Sequence, residues 1–235
     1  EAASRVWIVW VPASAAREAS CGKDRSSRLL NSGVIEVYTD LTSPQASVGV
    51  YLWEITQVVT VVNTGRITAD IAIMVEGDHQ SGGANDMIIN RGLIEGAVLT
   101  AYGADTVENS GVMTGPILLG DGNDRYLGSE GELIGYASGG SGNDELVGGA
   151  QADALYGDNG DDRLVGGAGD DFLEGGWGRD SMSGGDGWDT LSFAESLLAV
   201  TVDLGRRWAS DGVSQDAIDG FEGVLGSRFD DVLIG

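Results

Sequence analysis

Apolar residues recur at every ninth position along the second half of this chain: Leu146, Leu155, Leu164, Leu173, Met182 and Leu191. Each is the centre of a three-residue stretch (ELV, ALY, RLV, FLE, SMS and TLS) set between glycine-rich segments. In an extended chain successive side chains point to opposite faces, so only the middle residue of each stretch is directed inward. The pattern predicts a turn followed by a very short strand, repeated. Two such units make one coil of about 18 residues around a thin apolar interior, which neighbouring coils must cover.

The polar positions share this register. Gly139 to Ser192 divides into six blocks of nine, and the sixth residue of every block is aspartate: Asp144, Asp153, Asp162, Asp171, Asp180 and Asp189. Glycines fall at positions one, two and four: Gly139, Gly140, Gly142; Gly148, Gly149; Gly157, Gly160; Gly166, Gly167, Gly169; Gly175, Gly176, Gly178; Gly184, Gly185, Gly187. Glycine there permits positive φ and close backbone approach, so six residues can reverse the chain. Gln151 and Asp158 interrupt the glycine pattern, and Arg179 and Trp188 occupy position five, so turns bearing them are expected to bind more weakly.

With two blocks per coil, each Asp stacks on the Asp two blocks away. Carboxylates about 6 Å apart repel by roughly 3 kcal/mol at an effective dielectric near 20. A hard cation removes that repulsion, and Ca²⁺ takes six to eight oxygen ligands of the kind that Asp and turn carbonyls supply. From Gly139 to Ser192 there are twelve Asp or Glu against two Arg, a net of −10 in 54 residues. A flexible acidic linker has no reason to keep an apolar residue two places after every Asp.

The blocks read G-G-x-G-x-D-x-U-x, with U apolar, and the segment resembles the RTX family of secreted bacterial proteins. The resemblance implies a right-handed parallel β-solenoid, the calcium-filled β-roll. It also implies an extracellular location after type I export of the unfolded chain, with external Ca²⁺ closing the roll.

Outside the strict blocks the period lengthens. Asn63-Thr64-Gly65, Asn90-Arg91-Gly92 and Asn109-Ser110-Gly111 each open a segment, Glu130-Gly131 opens a looser fourth, and each runs towards an Asp: Asp86, Asp105, Asp124 and Asp144. These aspartates are 19, 19 and 20 residues apart, about one coil. One column is therefore expected to hold Asp86, Asp105, Asp124, Asp144, Asp162 and Asp180, and an opposite one Asp153, Asp171 and Asp189. Asp124, in a Gly-Asp-Gly-Asn-Asp turn, is a candidate ligand; for Asp86 and Asp105 a plain β-turn role stays open. After Ser192 the register breaks. Val200 to Leu204 reads as a strand, Arg206 to Asp219 as a polar loop, and Gly226 to Ile234 as a resumed repeat with Asp231 as ligand. RTX proteins carry a similar excursion.

Residues 1–62 are read as an irregular β-rich N-terminal cap, 63–138 as a long-repeat solenoid, 139–192 as the nonapeptide roll, and 193–235 as excursion and resumed repeat. In the cap, Val6–Val11, Val34–Tyr38, Val48–Trp53 and Val58–Val62 read as strands, Arg17–Leu30 as helix or loop, and Asn31-Ser32-Gly33-Val34-Ile35 as a degenerate first copy of the long repeat. Glu1 at the start and Gly235 opening a new repeat at the end point to a piece of a longer chain.

Composition narrows the function. A net charge of −24, with one lysine among 13 basic residues, argues against nucleic acid or an anionic membrane as partner. The longest early apolar run, Val6–Val11, is too short to span a bilayer. Cys21 is the only cysteine and excludes an intrachain disulfide, which leaves Ca²⁺ as the staple. His79 is the only histidine, so neither an H-E-x-x-H motif nor a three-histidine site exists; it is read as a solvated loop residue. No G-x-S-x-G elbow or P-loop occurs. Trp177 and Trp188 lie in turns, where they can be exposed; a sugar-stacking platform is open to them, with simple packing favoured. The leading reading is a non-catalytic, calcium-dependent folding module. A polysaccharide lyase or epimerase fragment and a repeat adhesin stay open, with polysaccharide, or catalytic or adhesive domains attached in a longer parent, as partners.

Overall fold

The computed structural model describes residues 5–8, 27–31, 34–36, 48–55, 58–77 and 83–235. Every regular element among them is a strand, and the strands form two sheets of 13 and 12 members. Their inward side chains make one continuous core. The expected all-β parallel solenoid is the fold.

Along the blocks, successive strands alternate between the sheets, and each pairs in parallel with the strand 18 residues on. Ala137 lies opposite Leu155, Leu155 opposite Leu173 and Leu173 opposite Leu191 in one sheet. In the other, Leu146 lies opposite Leu164 and Leu164 opposite Met182. These leucines are 0 % exposed and Met182 is 2 % exposed. Burying each contributes about 1.5–3 kcal/mol, which no single coil gains without its neighbours. The strands run longer than the alternating triplets: Ala154–Asn159, Arg163–Ala168, Phe172–Trp177 and Ser181–Asp186 have six residues each. Extended backbone continues through the glycine pair, so positions six, eight and one are all buried.

The long repeat stacks in the same way. The Asn63 side-chain amide donates to Asn90 Oδ1 at 2.8 Å, and that of Asn90 donates to Asn109 Oδ1 at 2.8 Å. This buried asparagine ladder turns the coils on the side away from the aspartates. Gly96, Gly115 and Gly135, with φ of 120°, 120° and 158°, form the next column. A side chain at Gly96 or Gly135 would collide with the carbonyl one coil away.

The same pairing extends into residues 1–62. Strand Ser27–Asn31 runs parallel to Val59–Asn63 with Asn31 opposite Asn63, and Val34–Glu36 runs parallel to the strand at Arg66 with Ile35 opposite Ile67. The reading of Asn31 and Val34-Ile35 as a first repeat copy matches this register; residues 32–33 lie outside the described ones. Arg5–Ile8 pairs antiparallel with Val48–Ile55, and Val59–Asn63 is also a strand, as the alternation predicts. The helix-or-loop reading is corrected over Ser27–Leu30, which pairing makes a strand; residues 17–26, with Cys21, and His79 lie outside the described residues.

A second correction concerns the excursion. The stretch 206–219 contains strands Trp208–Ser210 and Asp216–Asp219. Trp208–Ser210 forms an antiparallel hairpin with Thr201–Asp203, and Asp216–Asp219 returns to parallel pairing with Ser181–Asp186. Polar composition concealed these strands because their outward residues face water while Ala209 and Ile218 enter the core.

Candidate metal centre

Turn geometry begins with the glycines. In each of the six blocks the first glycine lies against the carboxylate of its own aspartate, so that a Cβ at Gly139 or Gly166 would collide with Asp144 or Asp171. Glycines at positions two and four, such as Gly140, Gly142, Gly176 and Gly178, have φ between 97° and 135° and sit on the backbone of the turn one coil away. The spacing brings every carboxylate to the same height in its coil.

The aspartates then align in two rows. Along the first row the Asp86 amide donates to Asp105 Oδ1, Asp105 to Asp124, Asp124 to Asp144, Asp144 to Asp162 and Asp162 to Asp180, at 2.7–2.9 Å. Along the second, Asp153 donates to Asp171 and Asp171 to Asp189, at 2.8 and 2.9 Å. The two columns expected from spacing are brought together, including Asp86 and Asp105. All nine aspartates are at most 5 % exposed.

One oxygen of each carboxylate except Asp86 and Asp153, which begin the rows, is accounted for by this ladder; Asp86 Oδ1 accepts the Val59 amide at 2.7 Å instead. The second oxygen is buried and without a partner at Asp124, Asp144, Asp162, Asp180, Asp171 and Asp189. Buried polar atoms are rarely left so, and six in two straight rows require a common explanation. Burial pushes the carboxyls up: Asp86, Asp124 and Asp162 to about 7, Asp105, Asp144, Asp171 and Asp180 to about 6, with Asp153 and Asp189 raised in the same direction. The amide hydrogen bonds oppose this without cancelling it. A cation against the free oxygens would hold them ionised. No three His, Cys, Asp or Glu side chains converge among the described residues. What the rows offer a cation is one carboxylate from each of two stacked turns, beside the peptide carbonyls that the turns carry. All-oxygen donors on a flexible turn suit Ca²⁺ and not a thiolate- or imidazole-seeking metal.

The family model for the RTX calcium-binding nonapeptide repeat (4 copies) matches residues 138–173 and 156–191. This segment is an array of RTX calcium-binding nonapeptide repeats. Its cofactor is Ca²⁺, and its residues in the two rows fit that ion. The chain matches no curated protein.

The RTX turns are not equivalent. At Asp153 the second oxygen accepts the Gly149 amide at 2.6 Å, inside its own turn. Gly149 and Gln151 lack the positive φ of their counterparts, so the turn closes on its own carboxylate. At position two of the next block Asp158 adopts φ of 73° and accepts the Ser138 hydroxyl at 2.5 Å, keeping the turn shape without glycine. Position five carries a second, exposed ladder running the opposite way: the Asn143 amide donates to Asn123, Asp161 to Asn143 and Arg179 to Asp161, at 2.8–2.9 Å. Arg179 adds an ion pair with Asp161 at 2.7 Å, so this departure is absorbed. Trp188 donates its amide to Asp170 at 2.9 Å. The packing reading of the tryptophans is corrected: Trp177 is 51 % exposed and Trp188 63 %.

Asp231 lies apart from both rows. It has the expected glycine, Gly226, against its carboxylate, but one oxygen accepts the Val200 amide at 2.9 Å and the Ser227 hydroxyl at 2.7 Å. Burial raises its carboxyl, but those hydrogen bonds outweigh it and set the pKa below the usual value. The stacking residue one coil away is Val200, not an aspartate, so no second carboxylate meets it. Two residues outside the nonapeptide array join the rows instead. Asp216 Oδ1 accepts the Asp180 amide at 3.0 Å, and Glu222 Oε2 accepts the Asp189 amide at 2.9 Å. A signal for Asp216 was present: Asp211–Asp219 keeps Gly212 at position two, Asp216 at six and Ile218 at eight, and Asp216 follows Asp180 by 36 residues, two coil lengths.

Proposed function

We propose that the chain is a calcium-dependent folding module of a secreted RTX-type bacterial protein, exported unfolded and closed by external Ca²⁺. The observation that carries this reading is the two rows of buried, partnerless carboxylate oxygens. Ca²⁺ supplies the positive charge that lets carboxylates stacked from coil to coil remain ionised. The chain does the rest. Asp144, Asp162 and Asp180 in one row, and Asp171 and Asp189 in the other, present free oxygens at fixed height. The glycines let turns stack closely enough for adjacent carboxylates to share an ion. The leucine column then holds the coils in register. Where Ca²⁺ is scarce, repulsion within the rows keeps the roll open.

No helix among the described residues is long and apolar enough to cross a membrane. The RTX repeat is itself non-catalytic, so any activity would reside outside residues 138–191.

Far-UV circular dichroism tests the reading. The chelated chain is expected to lose β-sheet signal and to regain it with Ca²⁺. Each site filled at 100 times its Kd contributes about 2.7 kcal/mol. A β-sheet spectrum unchanged in excess chelator would overturn the proposal. Mg²⁺ is expected to substitute poorly, because it demands a small octahedral shell and dehydrates reluctantly.

A further inference from the structure

The first aspartate row continues past the nonapeptides. After Ser192 the chain leaves the roll, forms its hairpin and comes back one coil further on, with Ser181 opposite Ala217 and Met182 opposite Ile218. This register places Asp216 where a seventh block would carry its aspartate. The Asp180 amide donates to Asp216 Oδ1 at 3.0 Å, the same contact that joins each pair in the row. Asp216 is 5 % exposed, and Asp180 Oδ2 is buried without a hydrogen-bond partner. The arginines of the excursion do not neutralise this pair: Arg206 bridges to Asp203 and Arg207 to Asp219, both at 3.2 Å.

We propose that Asp180 and Asp216 hold a further Ca²⁺ ion outside the nonapeptide array, which fastens the returning segment to the last repeat coil. The inference rests on the reading of the rows as calcium sites. It assigns a ligand, Asp216, that the family match ending at residue 191 does not reach. The site differs from those within the array. A repeat glycine at position two or four packs on the turn one coil away, whereas Gly212 has no neighbour within 4 Å of its would-be Cβ. The turn 211–215 therefore stands off from the turn 175–180 and offers fewer peptide carbonyls. An ion there keeps more of its water and binds more weakly than one within the array. The second row ends otherwise: Glu222 accepts the Asp189 amide but is exposed, so water can serve its carboxylate.

Native mass spectrometry of the whole chain in saturating Ca²⁺ tests this. Asp216→Asn keeps the oxygen that accepts the Asp180 amide and removes the charge. It is expected to bind one ion fewer than wild type while circular dichroism shows the same fold. Asp219→Asn makes the same charge change on the exposed face and is expected to keep the full count. A full count in Asp216→Asn overturns the terminal site alone. A wild type that binds no ion overturns this inference together with the calcium reading. Wild-type crystals grown with Ca²⁺ give a test that needs no variant. Anomalous density between the Asp180 and Asp216 carboxylates supports the site, and its absence where the repeat turns are filled overturns it.

Discussion

At the scale of single residues, the second carboxylate oxygen decides which turns need an ion. At Asp171 it is buried and partnerless, whereas at Asp153 the Gly149 amide has taken it. The cause is local. Gln151 replaces the glycine at position four, the turn cannot adopt the left-handed conformation of its neighbours, and the Gly149 amide folds onto the carboxylate. Gln151→Gly restores the permissive residue. It is expected to free the Asp153 oxygen and add one Ca²⁺ between the turns at 148 and 166, measured as an extra ion in native mass spectra. An unchanged ion count would show that the turn closes on itself for some other reason. Gln151 was legible as a weak point from the sequence because it breaks a repeated pattern. The amide that replaces the ion was not, since it depends on backbone angles that residue types alone do not set.

At the scale of the coil, two blocks form the unit and each row is built from alternate blocks. Asp162 and Asp171 are sequence neighbours by block, yet their amides bond along different rows. Asp171→Ala is therefore expected to remove the calcium shared by the turns at 166 and 184. The ions of Asp144, Asp162 and Asp180 should remain, and Asp162→Ala should give the converse. Calcium counts for the two variants check this, and loss of the same ions from both would exclude two independent rows. Packing follows the same stacking. Leu164 lies between Leu146 and Met182 and is 0 % exposed, so Leu164→Ala should cost about 2–5 kcal/mol, read from chemical denaturation in Ca²⁺. The rows, the 18-residue coil and the leucine columns were legible because a strict period places identical residues at identical heights. Asp216 left only a faint signal, its place in the nine-residue frame, since an inserted hairpin separates it from its row and Ser214 stands where a repeat carries glycine. Ser27–Asn31 was obscured differently: its adjacent leucines suit a helix as well as a strand, and pairing with Val59–Asn63 settles the matter.

For the whole molecule, the rows couple folding to protons as well as to calcium. The net charge is −24, and the first row stacks its carboxylates without an interleaved base. An unfolded aspartate titrates near about 3.9. In the folded, ion-free roll, burial pushes Asp86, Asp124, Asp162 and Asp216 to about 7, and Asp105, Asp144, Asp171 and Asp180 to about 6. Between those limits the folded chain holds protons that the unfolded chain has released, so raising the pH disfavours folding. Below about pH 4 both states are protonated and the effect ends. The calcium-free chain is therefore expected to melt higher at about pH 5 than at about pH 7.5, because protons do part of what the ions do. With Ca²⁺ the dependence reverses, since loaded carboxylates are ionised and acid competes for the same oxygens. The gain in Tm from Ca²⁺ should thus be large above pH 7 and shrink as the pH falls through 6. Melting curves of the metal-stripped chain, with and without Ca²⁺ at both pH values, check the sign. A stripped chain that melts higher at the upper pH would mean that the buried rows do not control folding.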